Sequence, residues 1–240
     1  MSNASFAFKK FNIRQDKCAM KVGTDAVLLG AWVIPNGSRQ ILDIGTGTGI
    51  ISLMLAQKST ASIIIAIDID KESTEQAKVN VEESDFRSRV EVRHMSFQEL
   101  VKSSDLKFDL IVTNPPYFID SMKNQAESSR KIARHADLLP FEDLISGAKK
   151  LLSEKGKFCL ILPKNEAAIF REMAKSKGLY LSKLLRIRTK PEKESEKRHL
   201  MQFEFKESEF SEATLILEEN ESRNYTAAYK EFTKDYYLNF

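Results

Sequence analysis

The chain has 240 residues, 42% apolar and 30% charged, with a formal net charge of +3, a size that suits one generous α/β domain burying about 70–75% of its unfolded surface. It has no run of about 18 apolar residues and no basic-then-apolar order over Met1 to Phe6, so a cytoplasmic protein without a membrane span is expected. Cys18 and Cys159 form no Cys-x-x-Cys pair, which points to packing rather than to a disulfide framework or a metal site.

In chain order, Phe6 to Ile13 alternates as a strand does, and Thr24 or Asp25 is placed to cap an apolar helix over Ala26 to Val33. From about residue 40 to about residue 206, strand and helix signals alternate, the pattern of a mostly parallel sheet covered on both faces. Gln40 to Ile44 is the first strand of that series, and Ile50 to Lys58 a helix. Ile63 to Ile67 is nearly continuous in apolar residues, as a strand buried on both faces should be, and Lys71 to Ser84 predicts an exposed helix. Val90 to Met95 mixes apolar and charged residues, which predicts a place near a sheet edge. Phe108 to Thr113 is a fourth, buried strand, and the polar stretch Asp120 to Asp137 is long enough to be a lid or a binding loop. Pro140 and Phe141 start a helix through Leu152, Glu154 to Lys157 turns into a strand over Phe158 to Leu162, and Asn165 to Lys177 is helical up to Gly178. Leu179 to Ile187 and His199 to Lys206 are two further strands, and Tyr225 to Tyr237 predicts a short aromatic-bearing helix used in packing.

Two motifs stand at strand ends. The Phe108 to Thr113 strand stops on Asn114, Pro115, Pro116 and Tyr117. Consecutive prolines neither continue a ladder nor enter a helix easily, so the chain leaves the sheet stiff and extended. An amide, a free carbonyl and an aromatic ring then meet at the edge where open α/β sheets bind ligands. That set can grip a planar group bearing an NH2, with Asn114 and the Pro115 carbonyl as acceptors and Tyr117 stacked on its face. The other motif follows the first strand, as Asp43-Ile44-Gly45-Thr46-Gly47-Thr48-Gly49, and runs directly into a helix. Glycines let a backbone turn sharply and approach a ligand, and the helix N-terminus favours polar or anionic groups. A dinucleotide fingerprint would need glycine at position 50, which is Ile50. Asp68 ends the second strand, where a carboxylate can accept from both hydroxyls of a ribose, while Asp70 is placed to cap the next helix.

The Gly-x-Gly-x-Gly spacing with its upstream Asp43 resembles the first motif of the Rossmann-like S-adenosyl-L-methionine-dependent methyltransferases, and Asn114 to Tyr117 resembles the fourth motif of those that act on planar amines. That resemblance implies a seven-stranded, mostly parallel, doubly wound sheet over residues 40–240, with residues 1–39 as an extension packing on the cofactor side. It also implies that Gly45, Gly47 and Gly49 pack against the amino-acid part of the cofactor, that Asp43 orders the loop and that Phe97 packs on the adenine. Ser96 stands where an Asp commonly bonds the adenine amine; its hydroxyl can serve, and it can equally cap a helix. Phe6 to Ile13, Met20 to Trp32, Arg130, Arg134 and Tyr225 to Lys230 together resemble the bacterial tRNA(Val) adenine-N6 methyltransferase family over nearly the whole chain. The family implies methylation of the adenine 3′ of the anticodon, with Lys21, Thr24 and Asp25 over the cofactor; Thr24 and Asp25 also suit plain capping.

Charge follows the same lines. Lys and Arg exceed Asp and Glu by 4 over residues 1–24, by 3 over 122–135 and by 6 over 171–206, while the remaining segments are neutral or acidic. If the basic segments converge they form a rim suited to a polyanion, with Arg130, Arg134, Arg188, Lys190, Lys197 and Arg198 as phosphate contacts; otherwise they are separate solvated faces. tRNA is therefore the expected partner, with no obligate protein partner indicated. A glutamine-N5 methyltransferase of release factors offers the same planar amine but usually carries a separate N-terminal helical domain, and a DNA adenine methyltransferase needs a target-recognition domain. A non-catalytic RNA-binding protein would have no need of Asp43, the glycine loop, Asp68 and Asn114 to Tyr117 together.

Overall fold

The computed structural model describes residues 4–18, 21–60, 62–116, 139–192, 196–207, 209–220 and 224–240. The chain opens with an antiparallel hairpin, β1 (Ser5–Ala7) and β2 (Asn12–Arg14). A single strand over Phe6 to Ile13 was the expectation. The chain turns instead because Phe8 and Phe11, 4% and 5% exposed, both enter the core with ring centroids 4.9 Å apart, while Lys9 and Lys10 face solvent. Then follow α1 (Thr24–Trp32), β3 (Gln40–Ile44), α2 (Ile50–Lys58), β4 (Ile63–Asp68), α3 (Lys71–Glu82), β5 (Val90–His94), α4 (Phe97–Ser103) and β6 (Phe108–Thr113). The second half comprises α5 (Phe141–Leu151), β7 (Leu152–Pro163), α6 (Lys164–Ser176), β8 (Tyr180–Arg188), β9 (Glu196–Glu204), β10 (Ser211–Ile216) and α7 (Ala227–Thr233).

One sheet holds β10-β8-β9-β7-β6-β3-β4-β5 in that spatial order, and only β9 runs antiparallel to its neighbours. Successive side chains of a strand point to opposite faces. Ile41 and Ile64 accordingly enter a core beneath α1, α2 and α7, while Leu42 and Ile65 enter one beneath α4, α5 and α6. The alternating, half-charged β5 lies at the edge, as its pattern predicts.

Two further differences from the sequence expectation have physical causes. The sheet has eight strands rather than seven, because β10 pairs in parallel with β8 from Ser211 opposite Lys183 to Ile216 opposite Arg188. Its first four residues are exposed and only Leu215 is buried, so no apolar run announces it. The turn expected at Glu154 to Lys157 is part of β7, whose pairing with β6 shifts register between Phe108 and Leu110 and so absorbs the glycine without ending the strand.

Candidate active site

The C-terminal ends of β6, β3, β4 and β5 rise side by side onto a cavity of about 270 Å³. Gly45 and Gly47 after β3, Asp68 at the end of β4, Ser96 and Phe97 after β5, and Asn114, Pro115 and Pro116 after β6 all line it. Gly45 and Pro116, 71 positions apart in sequence, meet there because parallel strands deliver their ends to one edge.

The glycine loop is tied down from below. Gly45 and Thr46 amides donate to the Ile67 carbonyl at 2.9 and 3.0 Å, and the Gly47 amide donates to Asp68 Oδ2 at 2.8 Å. Gly45 and Gly47 have φ of 69° and 56°, left-handed values that side chains oppose, and a Cβ built on either meets nothing within 4 Å. Their backbone therefore faces open cavity. Gly49, the left-handed N-cap of α2, is not on that wall; a Cβ there would touch Ala77 at 3.4 Å, so it brings α2 against α3.

Asp43 lies beneath the loop with no exposed surface, and its Oδ2 accepts from the Thr46 and Ser52 hydroxyls at 2.7 Å each. Its Oδ1 is buried with no hydrogen-bond partner among the described residues. Burial pushes this carboxyl up to about 6, against the pull of the two hydroxyls. Asp68 Oδ1 accepts from the Asp70 amide at 2.9 Å, and burial raises the Asp68 carboxyl as well. Each Asp68 oxygen retains a lone pair for a ligand hydroxyl. Asp70 does the structural work expected of it, accepting from the Ser73 amide at 2.7 Å as N-cap of α3.

After β5, Ser96 forms a capping box with Glu99. Its Oγ accepts from the Glu99 amide at 3.2 Å and donates to Glu99 Oε2 at 2.7 Å, and its own amide donates to the same oxygen at 2.8 Å. The Phe97 ring is 4% exposed and fills the space over Gly147, where a Cβ would come within 2.5 Å of it. It supports the cavity wall from the core side. Asn114 is half-buried, Pro115 buried and Pro116 exposed, and Thr113 Oγ1 donates to the Ile44 carbonyl at 2.9 Å, which joins the ends of β6 and β3.

Tyr117, Arg130, Arg134 and the Asp120 to Asp137 stretch lie outside the described residues. Lys21, Thr24 and Asp25 are not on the cavity wall. The N-cap of α1 is Gly23 rather than Thr24 or Asp25, and Asp25 instead receives Arg198 Nε at 2.7 Å. An arginine across the sheet edge offers a carboxylate a charged partner, which displaces capping as its role. Arg188, Lys190, Lys197 and Arg198 all stand at the same edge, beyond β7 from Asn114. Arg188 donates to the Pro191 carbonyl at 2.6 Å, Lys190 to that of Asn220 at 3.4 Å, and Lys197 is exposed. Glu196 gathers His199 at 2.7 Å, Arg186 at 3.4 Å and Lys164 at 3.8 Å on that rim; the first two come from strand interiors that a charge count does not single out. Sequence reasoning also passed over Ile69, Met95, Gln98 and Leu139 on the cavity wall. Their signal was position: three of them stand within four residues of a strand end.

Residues 19–176 match the family model of the methyltransferase small domain, the class that this fold and this edge define. In fold the chain is similar to a crystal structure of a predicted O-methyltransferase from Agrobacterium tumefaciens, with a TM-score of 0.69 over 88% of this chain and 96% of that one at 20% identity. It is likewise similar to a ribosomal protein L11 methylase from Lactobacillus delbrueckii, with a TM-score of 0.53 over 78% and 77% of the two chains at 18% identity. Curated relatives named tRNA1(Val) (adenine(37)-N6)-methyltransferase are far nearer: that of Bacteroides fragilis is 45% identical with 99% of each chain covered, and that of Trichodesmium erythraeum 43% with 100% of each. The chain belongs to this methyltransferase family.

Proposed function

We propose that the protein transfers a methyl group from S-adenosyl-L-methionine to the exocyclic N6 amine of adenine 37, immediately 3′ of the anticodon, in tRNA(Val), acting in the cytoplasm as one unit of residues 1–240. The observation that carries this reading is the convergence of Gly45, Gly47, Asp68 and Asn114 on one cavity, in a chain matched from end to end by relatives of that name. The residues present fit the cofactor. A glycine backbone open to the cavity suits its amino-acid end, the unpartnered Asp43 Oδ1 leaves negative charge beneath that loop for a cationic or water-bridged group, and the spare lone pairs of Asp68 suit ribose hydroxyls. Lys21, Thr24 and Asp25 would lie over it from the N-terminal segment.

When bound, S-adenosylmethionine supplies an electrophilic methyl group on sulfonium. An exocyclic amine is a weak nucleophile because its lone pair is delocalised into the ring. Asn114 Oδ1 and the Pro115 carbonyl accept its two hydrogens, localise the lone pair and aim it; Tyr117 stacks on the base, which leaves its own stack to enter. Catalysis then comes from positioning and electrostatics at a pre-formed edge. Arg130, Arg134, Arg188, Lys190, Lys197 and Arg198 would hold the phosphates around the base, so binding should weaken steeply with salt.

The test is transfer of label from S-adenosylmethionine to unmodified tRNA(Val), with release factor as the competing substrate, followed by digestion and identification of the product. N6-methyladenosine at position 37 is expected, and label in protein glutamine but not in RNA would overturn the reading. Asn114→Ala should lower transfer by roughly 10²–10³-fold with cofactor binding retained. Equal loss of binding would remove Asn114 from its catalytic role.

A further inference from the structure

Helix α6 carries a charge pattern that the cavity does not use. It starts at Lys164, directly after the last residue of β7, and runs along the sheet away from the catalytic edge to Ser176. Lys164, Arg171 and Lys175 are exposed, and their spacing sets them within roughly 40° of one another about the helix axis, over about 16 Å of its length. Glu166 and Glu172 are set off from the midline of that stripe by roughly 80° or more. One flank of α6 is taken by α5, through Phe141 against Phe170 with ring centroids 5.0 Å apart and through Lys177 on Glu142 at 2.7 Å. The stripe lies on the other flank, toward β9 and β8, where Lys164 and Arg186 share Glu196 at 3.8 and 3.4 Å. Arg186 also pairs with Glu212 of β10 at 2.7 Å. The side chains of Arg171 and Lys175 have no hydrogen bond or ion pair among the described residues. Four cations therefore face two acids, and the flank keeps an excess of positive charge.

We propose that this flank of α6, with Arg186 beside it on β8, is a second RNA-contact surface, which holds backbone phosphates of the paired anticodon stem while the loop occupies the catalytic edge. This rests on the reading of tRNA as the substrate. The stripe begins where such a stem must leave the base pocket: β7 neighbours β6, so the start of α6 stands one inter-strand step, about 5 Å, from the strand that ends on Asn114. At the same end Pro163 pairs with Arg198, so the stripe continues the cationic rim rather than forming a separate patch. Its chemistry suits backbone and not bases. The single aromatic residue of α6, Phe170, is fully buried, so this face has no ring on which an unpaired base could stack. A paired stem turns its bases inward and presents phosphates, which a row of cations can hold without regard to sequence. An acidic protein segment would satisfy the same cations, but nothing in its chemistry would place it against the mouth of a base pocket.

The experiment compares the full-length protein with the double variant Arg171→Gln, Lys175→Gln and with a control of equal charge, Lys78→Gln, Arg87→Gln, whose exposed side chains lie on α3 and beside the far sheet edge at β5. Methyl transfer to unmodified tRNA(Val) is measured over a range of salt, and the tRNA backbone is footprinted with hydroxyl radicals. The α6 variant should raise KM for tRNA about tenfold with kcat and melting temperature unchanged, and should flatten the salt dependence of binding by about one logarithmic slope unit per cation removed. The parent should protect the anticodon-stem backbone, and the α6 variant should lose that protection while keeping protection of the loop. The control should match the parent. Equal effects of the two double variants, or a stem left unprotected by the parent, overturn the surface. Parent-like tRNA kinetics in an α6 variant that has lost binding of poly-glutamate would assign the flank to an acidic protein and overturn the proposal as well. A parent that neither binds nor methylates tRNA overturns the reading of the substrate, and this surface with it.

Discussion

Burying the Asp43 carboxyl carries a cost to the folded protein, and that cost has a sign that can be checked. Its carboxyl moves from an ordinary 3.8 up to about 6 through burial, so the folded chain holds that proton more tightly than the unfolded chain does. Stability therefore falls as pH rises from 3.8 to about 6, and above that window the ionised carboxylate costs about 3 kcal/mol in a protein without cofactor. Asp43→Asn carries no charge and escapes this term. Between about pH 4 and pH 8 the difference in unfolding free energy should move in favour of the variant by about 3 kcal/mol in urea titrations. A difference flat with pH would show that the carboxyl is not desolvated. The acid was visible in the sequence from its place two residues before Gly45; its orphaned Oδ1 was not, because only packing decides which lone pair is closed off.

Helix α3 shows how one element can serve two others. Its pattern predicted an exposed helix, and its outward residues are charged, yet Asn80 and Gln76 are 1% and 2% exposed. Asn80 Nδ2 donates to the Thr48 carbonyl of the glycine loop at 2.8 Å and to the Arg14 carbonyl of β2 at 2.9 Å, while its Oδ1 accepts from the Arg14 amide at 2.8 Å. Gln76 accepts from the Lys17 amide at 3.3 Å. The side chain thus completes an edge of the hairpin as a further strand would, and fixes the glycine loop by the same amide. Asn80→Ala leaves three backbone groups without partners, for a loss of about 3 kcal/mol, and amide exchange should accelerate first over residues 12–17. Unchanged protection there would show that the hairpin is held by its aromatic residues alone. No sequence pattern distinguishes a buried Asn that imitates a peptide bond from one that faces water.

The two chain ends close the molecule. Phe8 bridges to Tyr237, the Lys9 amide donates to the Tyr236 carbonyl at 2.8 Å, and Lys9 Nζ reaches the carbonyls of Lys234 and Phe240 at 2.6 and 2.8 Å. Tyr229 and Tyr236, each 1% exposed, carry this junction into the core beneath α1 and α2, where the Tyr236 hydroxyl donates to the Met54 carbonyl at 3.2 Å. Tyr229→Ala should cost about 3–5 kcal/mol, lowering the melting temperature by roughly 10 °C. A drop of only a degree or two would mean that the carboxyl-terminal segment is a loose appendage. Before folding, the order of residues already determined the parallel sheet, the Gly-x-Gly-x-Gly loop, Asp68 and Asn114 to Pro116, because strand periodicity and strand-end chemistry are local properties of a chain. The eighth strand, the Arg198 to Asp25 pair and the orphaned Oδ1 of Asp43 came only with the folded molecule. Each depends on a partner that is distant in sequence, or on whether a lone pair is already taken, and sequence spacing carries neither.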